Sequence, residues 1–143
     1  MRKLFYTLMM IVAVTLFTNA AHAQTSSQQR VIAQIPFAFT AGKTSLPAGK
    51  YIFTVVNPAS DRKVLQIRSV DGRASAMILT NTVKGIVTEN AKVVFERYDD
   101  RYFFAQAQLA GNSTTLAALH LNKDHKHAVA TAKKKSVVVI VAG

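Results

Sequence analysis

The sequence predicts a mainly β domain: an antiparallel sandwich or an open, barrel-like sheet of about six or seven strands, with one short C-terminal helix. Three observations carry this expectation. Apolar residues recur with period two in short runs, as in Val31, Ala33, Ile35, Phe37 and Phe39, the spacing that places alternate side chains on one face of a strand. Turn-forming residues separate these runs at roughly even intervals. Strands do not alternate with long helical patterns, which argues against a parallel α/β sheet. A chain of 143 residues suits one domain.

The elements follow in chain order. Arg2 and Lys3 precede an apolar run from Leu4 to Phe17, and Ala21-His22-Ala23 follows it. A basic start, a short apolar core and a small-residue site form the pattern of a secretory signal peptide. Residues 1–23 are therefore expected to be removed near Ala23, leaving no transmembrane segment and a protein that is secreted or periplasmic. Residues 24–29 read as a flexible leader, and residues 30–143 as the single β-rich domain. The first strand, 31–39, contains Pro36, which cannot donate to a ladder and so puts this strand at an edge or bends it. Residues 41–45 read as a loop. Its Gly42-Lys43-Thr44 does not complete a phosphate-binding loop, because the upstream glycine position is Phe37.

Leu46-Pro47-Ala48-Gly49 then turns the chain into residues 50–56, apolar on both faces and expected at the centre of the sheet with cover on both sides. Residues 64–70 and 73–80 flank Asp71-Gly72, a dipeptide suited to a type I′ hairpin in which both central residues take positive φ. That register places Ser69 opposite Ala74, Ile67 opposite Ala76 and Leu65 opposite Ile78. Residues 81–91 read as a loop or weak hairpin. A second hairpin, 93–98 and 102–109, is expected to have the three-residue loop Asp99-Asp100-Arg101, because this sets Phe95 opposite Ala105 and keeps Phe103 inside and Phe104 outside. Residues 114–121 are ambiguous. Asn122 suits a helix N-cap and Lys133-Lys134-Lys135 a helix end, giving a short, weakly docked helix over 123–134. The closing run Val137-Val138-Val139-Ile140-Val141 is expected to pair inside the sheet, with the lysines before it as gatekeepers against aggregation.

Four segments recur together in order: Ile35-Pro36-Phe37-Ala38-Phe39, Leu46-Pro47-Ala48-Gly49-Lys50-Tyr51, Ile67-Arg68-Ser69-Val70-Asp71-Gly72-Arg73, and Phe95-Glu96-Arg97-Tyr98-Asp99-Asp100-Arg101-Tyr102-Phe103. Over roughly residues 35–104 the chain resembles a group of small secreted proteins of unknown function that are abundant in soil acidobacteria. The resemblance implies an exported β-rich domain and transfers no activity or catalytic residue.

The chemistry on offer is limited. The chain has no cysteine, which removes disulfides, thiolate metal sites and thiol nucleophiles. No Gly-x-Ser-x-Gly elbow or Ser/His/Asp set is recognisable. Glu96, Asp99 and Asp100 offer paired carboxylates for acid–base work, but two of the three fall in a turn, where aspartate is favoured for backbone reasons. His120, His125 and His127 are weak metal candidates; on a helix, His125 and His127 point about 200° apart. No cofactor is called for. The formal charge is +11, and removing Arg2 and Lys3 leaves 16 basic against 7 acidic side chains, a net +9. Outside the cytoplasm this favours anionic envelope polymers or glycans over nucleic acid. The candidate ligand-binding residues are Arg68, Arg73, Arg97, Tyr98, Arg101 and Tyr102, with Phe104 beside them, a basic and aromatic strip if both hairpins share a sheet. The chain thus reads as an exported, non-enzymatic binding or structural module. The alternative is a carrier of small molecules or glycans with an apolar cavity lined by Phe53, Phe95 and Phe103.

Overall fold

The computed structural model describes residues 29–119 and 123–142. The expected signal peptide, residues 24–28 of the leader, His120 and the Asn122 cap lie outside the described residues. Ten strands and one helix follow in order: β1 (Arg30–Ile35), β2 (Phe39–Ala41), β3 (Thr44–Leu46), β4 (Gly49–Val55), β5 (Lys63–Ser69), β6 (Ser75–Lys84), β7 (Lys92–Tyr98), β8 (Arg101–Gln108), β9 (Thr114–Ala118), α1 (Lys123–Thr131) and β10 (Lys135–Val141).

Eight strands run side by side in the order β1-β4-β5-β6-β9-β8-β7-β10, and every ladder on this path is antiparallel. The first and last strands approach each other without a ladder, so the sheet curls into an open barrel with a seam between β1 and β10. A short β2–β3 ribbon hangs on β8 through one parallel bridge, Thr40 to Phe103. Gly42 makes its turn with φ of 61°, and a side chain there would meet Ile78 of β6 at 2.9 Å. Only glycine meets both demands, left-handed backbone and close approach.

The inward side chains fill the barrel. Val31, Ala33 and Ile35 of β1, Tyr51, Phe53 and Val55 of β4, and Leu65 and Ile67 of β5 are all buried. Phe39 enters from the ribbon and meets Tyr51 and Phe95 edge-on, with ring centroids 5.2 and 5.0 Å away. Phe53 stacks on Phe104 at 5.7 Å. Each such ring contributes about 1.5–3 kcal/mol by leaving water. Thr80, fully buried, satisfies its hydroxyl on the Lys63 carbonyl at 2.8 Å, as a polar group in an apolar core must.

The fold class is the expected one, but several details change. The seven expected runs become ten strands because Pro36 ends β1, letting β2 form separately, because residues 44–46 pair instead of looping, and because 114–118 is extended. β6 continues to Lys84 instead of stopping at residue 80, since β9 supplies it with a partner. β4 does lie between two strands, β1 and β5, yet only its Tyr51, Phe53 and Val55 face is covered; Ile52 and Thr54 are half-buried on the outer face. β10 pairs with β7 alone and is an edge, so it is not inside the sheet. The first hairpin keeps the expected register, Ile67 with Ala76 and Leu65 with Ile78. Its turn differs: Gly72 has φ of 75°, and Asp71 does not take positive φ. Ser69 accepts from the Gly72 N–H at 2.9 Å, so a one-glycine turn replaces the type I′ form.

The β7–β8 hairpin is the larger correction. Its loop is the two residues Asp99-Asp100, and Phe95 faces Phe104. A register shift between Val94 and Phe95 restores the alternation below, with Val93 opposite Ala107. The extra residue of this bulge reverses the expected faces. Phe104 points into the core, and Phe103 points out to the helix.

Candidate functional site

The outward turn of Phe103 creates the platform on which α1 sits. Tyr98, Phe103 and Ala128 form a second small core, with Ala132 at its margin. His125 is 7% exposed, its ring edge-on to Tyr98 at 5.5 Å and to Phe103 at 5.1 Å. A buried imidazole needs a partner, and Glu96 supplies it: His125 Nε2 lies 3.0 Å from Glu96 Oε2. The same oxygen accepts the Tyr98 hydroxyl at 2.9 Å. The Glu96 carboxylate thus ties β7 to the helix.

The second tie is Asp99. It is the first residue of the β7–β8 turn and takes φ of 53°, which aspartate tolerates better than most residues. Its N–H donates to the Lys134 carbonyl at 2.9 Å, and its carboxylate accepts the N–H groups of Lys133 at 3.3 Å and Lys134 at 3.0 Å. This reciprocal clasp fixes the backbone between α1 and β10 while the side chains of Lys133, Lys134 and Lys135 stay exposed. Lys135 Nζ lies 5.3 Å from the centre of the Tyr98 ring, and the Arg101 guanidinium 5.2 Å from that of Phe103, within the range of cation–π attraction. The Tyr98 hydroxyl, and then the Glu96 charge, hold Lys135 above the usual lysine range. Burial, offset by Lys135 and reinforced by Glu96, pushes the Tyr98 phenol up. Lys135 is therefore cationic at any physiological pH.

A cleft of about 510 Å³ opens at the same end of the barrel, between the Pro47–Gly49 turn and the β5–β6 loop; Lys50, Tyr51, Asp71 and Arg73 are among its lining residues. The Tyr51 hydroxyl donates to the Pro47 carbonyl at 2.6 Å and fixes the turn. Asp71 organises the loop by accepting from the Ser69 hydroxyl at 2.6 Å and the Arg73 N–H at 3.0 Å. These two bonds, in that order, hold its carboxyl below the usual aspartate range. A depressed folded value means that Asp71 stabilises the loop above the unfolded pKa of about 3.9 and that this contribution disappears as pH falls through the folded value. Asp71→Asn accordingly flattens the lowest-pH part of the stability profile; thermal melts of both proteins between about pH 7 and about pH 2 check this.

The predicted strip does not form one surface. β9 lies between the two hairpins, and Arg73 sits at the cleft and Arg68 beside Gly72, away from the rest. Arg97 donates to the Asp99 carbonyl at 2.7 Å, pairs with Asp100 at 3.6 Å and lies 5.4 Å from the Tyr102 ring. Tyr102 stacks on Phe37 at 3.9 Å, on the core side. Tyr98 and Arg101 join the helix cluster on the outer side. Glu96 lies on an outward face, partnered by Tyr98 and His125. His125 is buried while His127 is exposed, so the pair does not converge on one point. Sequence reasoning missed the His125–Glu96 contact and the Asp99 clasp. The one available signal was a histidine three positions before Ala128, the spacing of one helix face.

Comparison with protein-family models, curated proteins and solved structures gave no match to the chain.

Proposed function

We propose that the chain is an exported, non-enzymatic binding domain whose lysine-rich end docks on anionic polymers or anionic glycans of the cell envelope. One observation carries the reading: the Asp99 clasp holds the backbone of Lys133 and Lys134 in place and spends its carboxylate on backbone N–H groups. The Lys133 and Lys134 side chains are left exposed, Lys135 leans on the Tyr98 ring, and Arg101, Lys123 and Lys126 are exposed around the same helix. Fixed, outward cations meet an anionic polymer at a smaller entropic cost than mobile ones. The nearby acids have structural roles: Glu96 holds Tyr98 and His125, and Asp100 pairs with Arg97. That division of labour favours binding over acid–base catalysis at Glu96.

Salt-dependent retention on purified cell-wall and lipopolysaccharide fractions tests the proposal. Each lysine near an anionic surface contributes about 1 kcal/mol, so replacing Lys133, Lys134 and Lys135 with glutamine weakens binding by roughly a hundredfold at low salt. Substituting Arg62, exposed in the loop between β4 and β5 at the opposite end of the barrel, leaves it nearly unchanged. Absence of retention at low salt, or equal retention of the triple variant, overturns the reading.

A further inference from the structure

The opposite end of the barrel carries a different surface. There β6 ends at Lys84, β7 begins at Lys92 and β10 ends at Val141. The loop between β6 and β7 presents Ile86, 83% exposed, and Val87, 59% exposed. Val83 and Val141 are also exposed at this end. Isolated exposed aliphatics are ordinary; an aliphatic tip held in place by the fold is not.

This loop is held at several points. The Gly85 N–H donates to the Ser113 carbonyl at 2.6 Å, and the Gly111 N–H to the Thr88 carbonyl at 2.9 Å. The Gln108 side-chain amide donates to the Ile86 carbonyl at 2.5 Å. These bonds anchor both edges of the tip and occupy the Ile86 carbonyl, so part of the backbone polarity that would oppose leaving water is already paired. Lys84 and Lys92 flank the tip, and a neighbouring cleft brings Arg30 and Ile32 beside Glu89, Asn90 and Ala142. Glu89 is the one acid of the loop. Aliphatic residues at a tip with cations behind them match the layering of an anionic bilayer, acyl chains below phosphate headgroups.

We infer that Ile86 and Val87 form a lipid-inserting tip, seated in an anionic phospholipid surface by Lys84, Lys92 and Arg30, so that the domain stands on the membrane with its lysine-rich end outward. This uses residues separate from the polymer-binding end, and the two proposals fail independently.

The chain contains no tryptophan, so Ile86→Trp supplies a single local reporter, and Met77→Trp, on the exposed outer face of β6, supplies the control. The full chain of each variant is mixed with vesicles of phosphatidylglycerol and phosphatidylethanolamine. The expected result is a blue shift of Ile86→Trp emission with quenching by lipids brominated on their acyl chains, and neither effect for Met77→Trp. Adding Val87→Asp to Ile86→Trp abolishes both effects while the melting transition is retained. Replacing Lys133, Lys134 and Lys135 leaves the shift in place. Unchanged Ile86→Trp emission with vesicles overturns the inference. So does a blue shift in buffer that grows with protein concentration, which would assign the tip to a second copy, or a shift produced only by anionic polysaccharide.

Discussion

Phe104→Ala lowers the stability of the domain by about 3–5 kcal/mol, the usual cost of truncating a buried aromatic. Its ring is 1% exposed and meets Phe53 at 5.7 Å and Phe95 at 6.1 Å, so its loss opens a cavity between two rings that cannot move freely within the sheet. Denaturant unfolding reads the change directly, and the melting temperature falls by about 10–20 °C. A variant as stable as the parent would show that residue 104 faces outward, as the simple alternation of the sequence implies. The measurement therefore tests the bulge between Val94 and Phe95 as well as the core.

Its neighbour behaves differently. Phe103→Ala leaves the barrel folded and loosens α1. The helix has nine residues, too few to be stable alone in water, and its apolar contacts are mainly those with Tyr98 and Phe103. Losing that ring removes about 2–3 kcal/mol of local docking. Native-state hydrogen exchange over residues 123–131 should accelerate by roughly thirty- to a hundredfold, with the protection of β4 and β5 unchanged. Global destabilisation matching that of Phe104→Ala would place both rings in one core. Loosening α1 also frees one side of the Asp99 clasp, so lysine-dependent polymer binding weakens in the same variant.

How much of this was legible depended on how local each determinant is. Leu65, Ile67, Ala76 and Ile78 announced their register because alternation and a glycine turn are both sequence-near signals, and the ladder carries them in that register. The Phe103 and Phe104 assignment was not legible, because a bulge shifts one strand by one residue without leaving a mark in the composition. Residues 44–46 are too short to show a period, and they became a strand only because Phe39 and Ala41 offered a partner. The candidate site suffered most. Arg68 and Arg97 both sit on hairpin strands, as expected, but strand order is a tertiary property, and β6, β9 and β8 intervene. His125 read only as a weak metal candidate on a weakly docked helix; the aromatic platform that buries it lies about twenty residues earlier in the chain.

The strand order has a consequence for how the chain reaches this structure. β1, β4, β5 and β6 form one contiguous half of the path, and β9, β8, β7 and β10 form the other. Within each half, hairpins such as β5–β6 and β7–β8 close short loops at little cost in chain entropy, whereas β1–β4 and β7–β10 pair across intervening elements. The halves meet along the β6–β9 ladder, from Thr80–Ala118 to Lys84–Thr114, and again where the β2–β3 ribbon reaches β8. Each half alone exposes an apolar face that its partner must cover. The β6–β9 ladder is therefore the main join that brings the two apolar faces together, with the β2–β3 ribbon as a second tie between the halves.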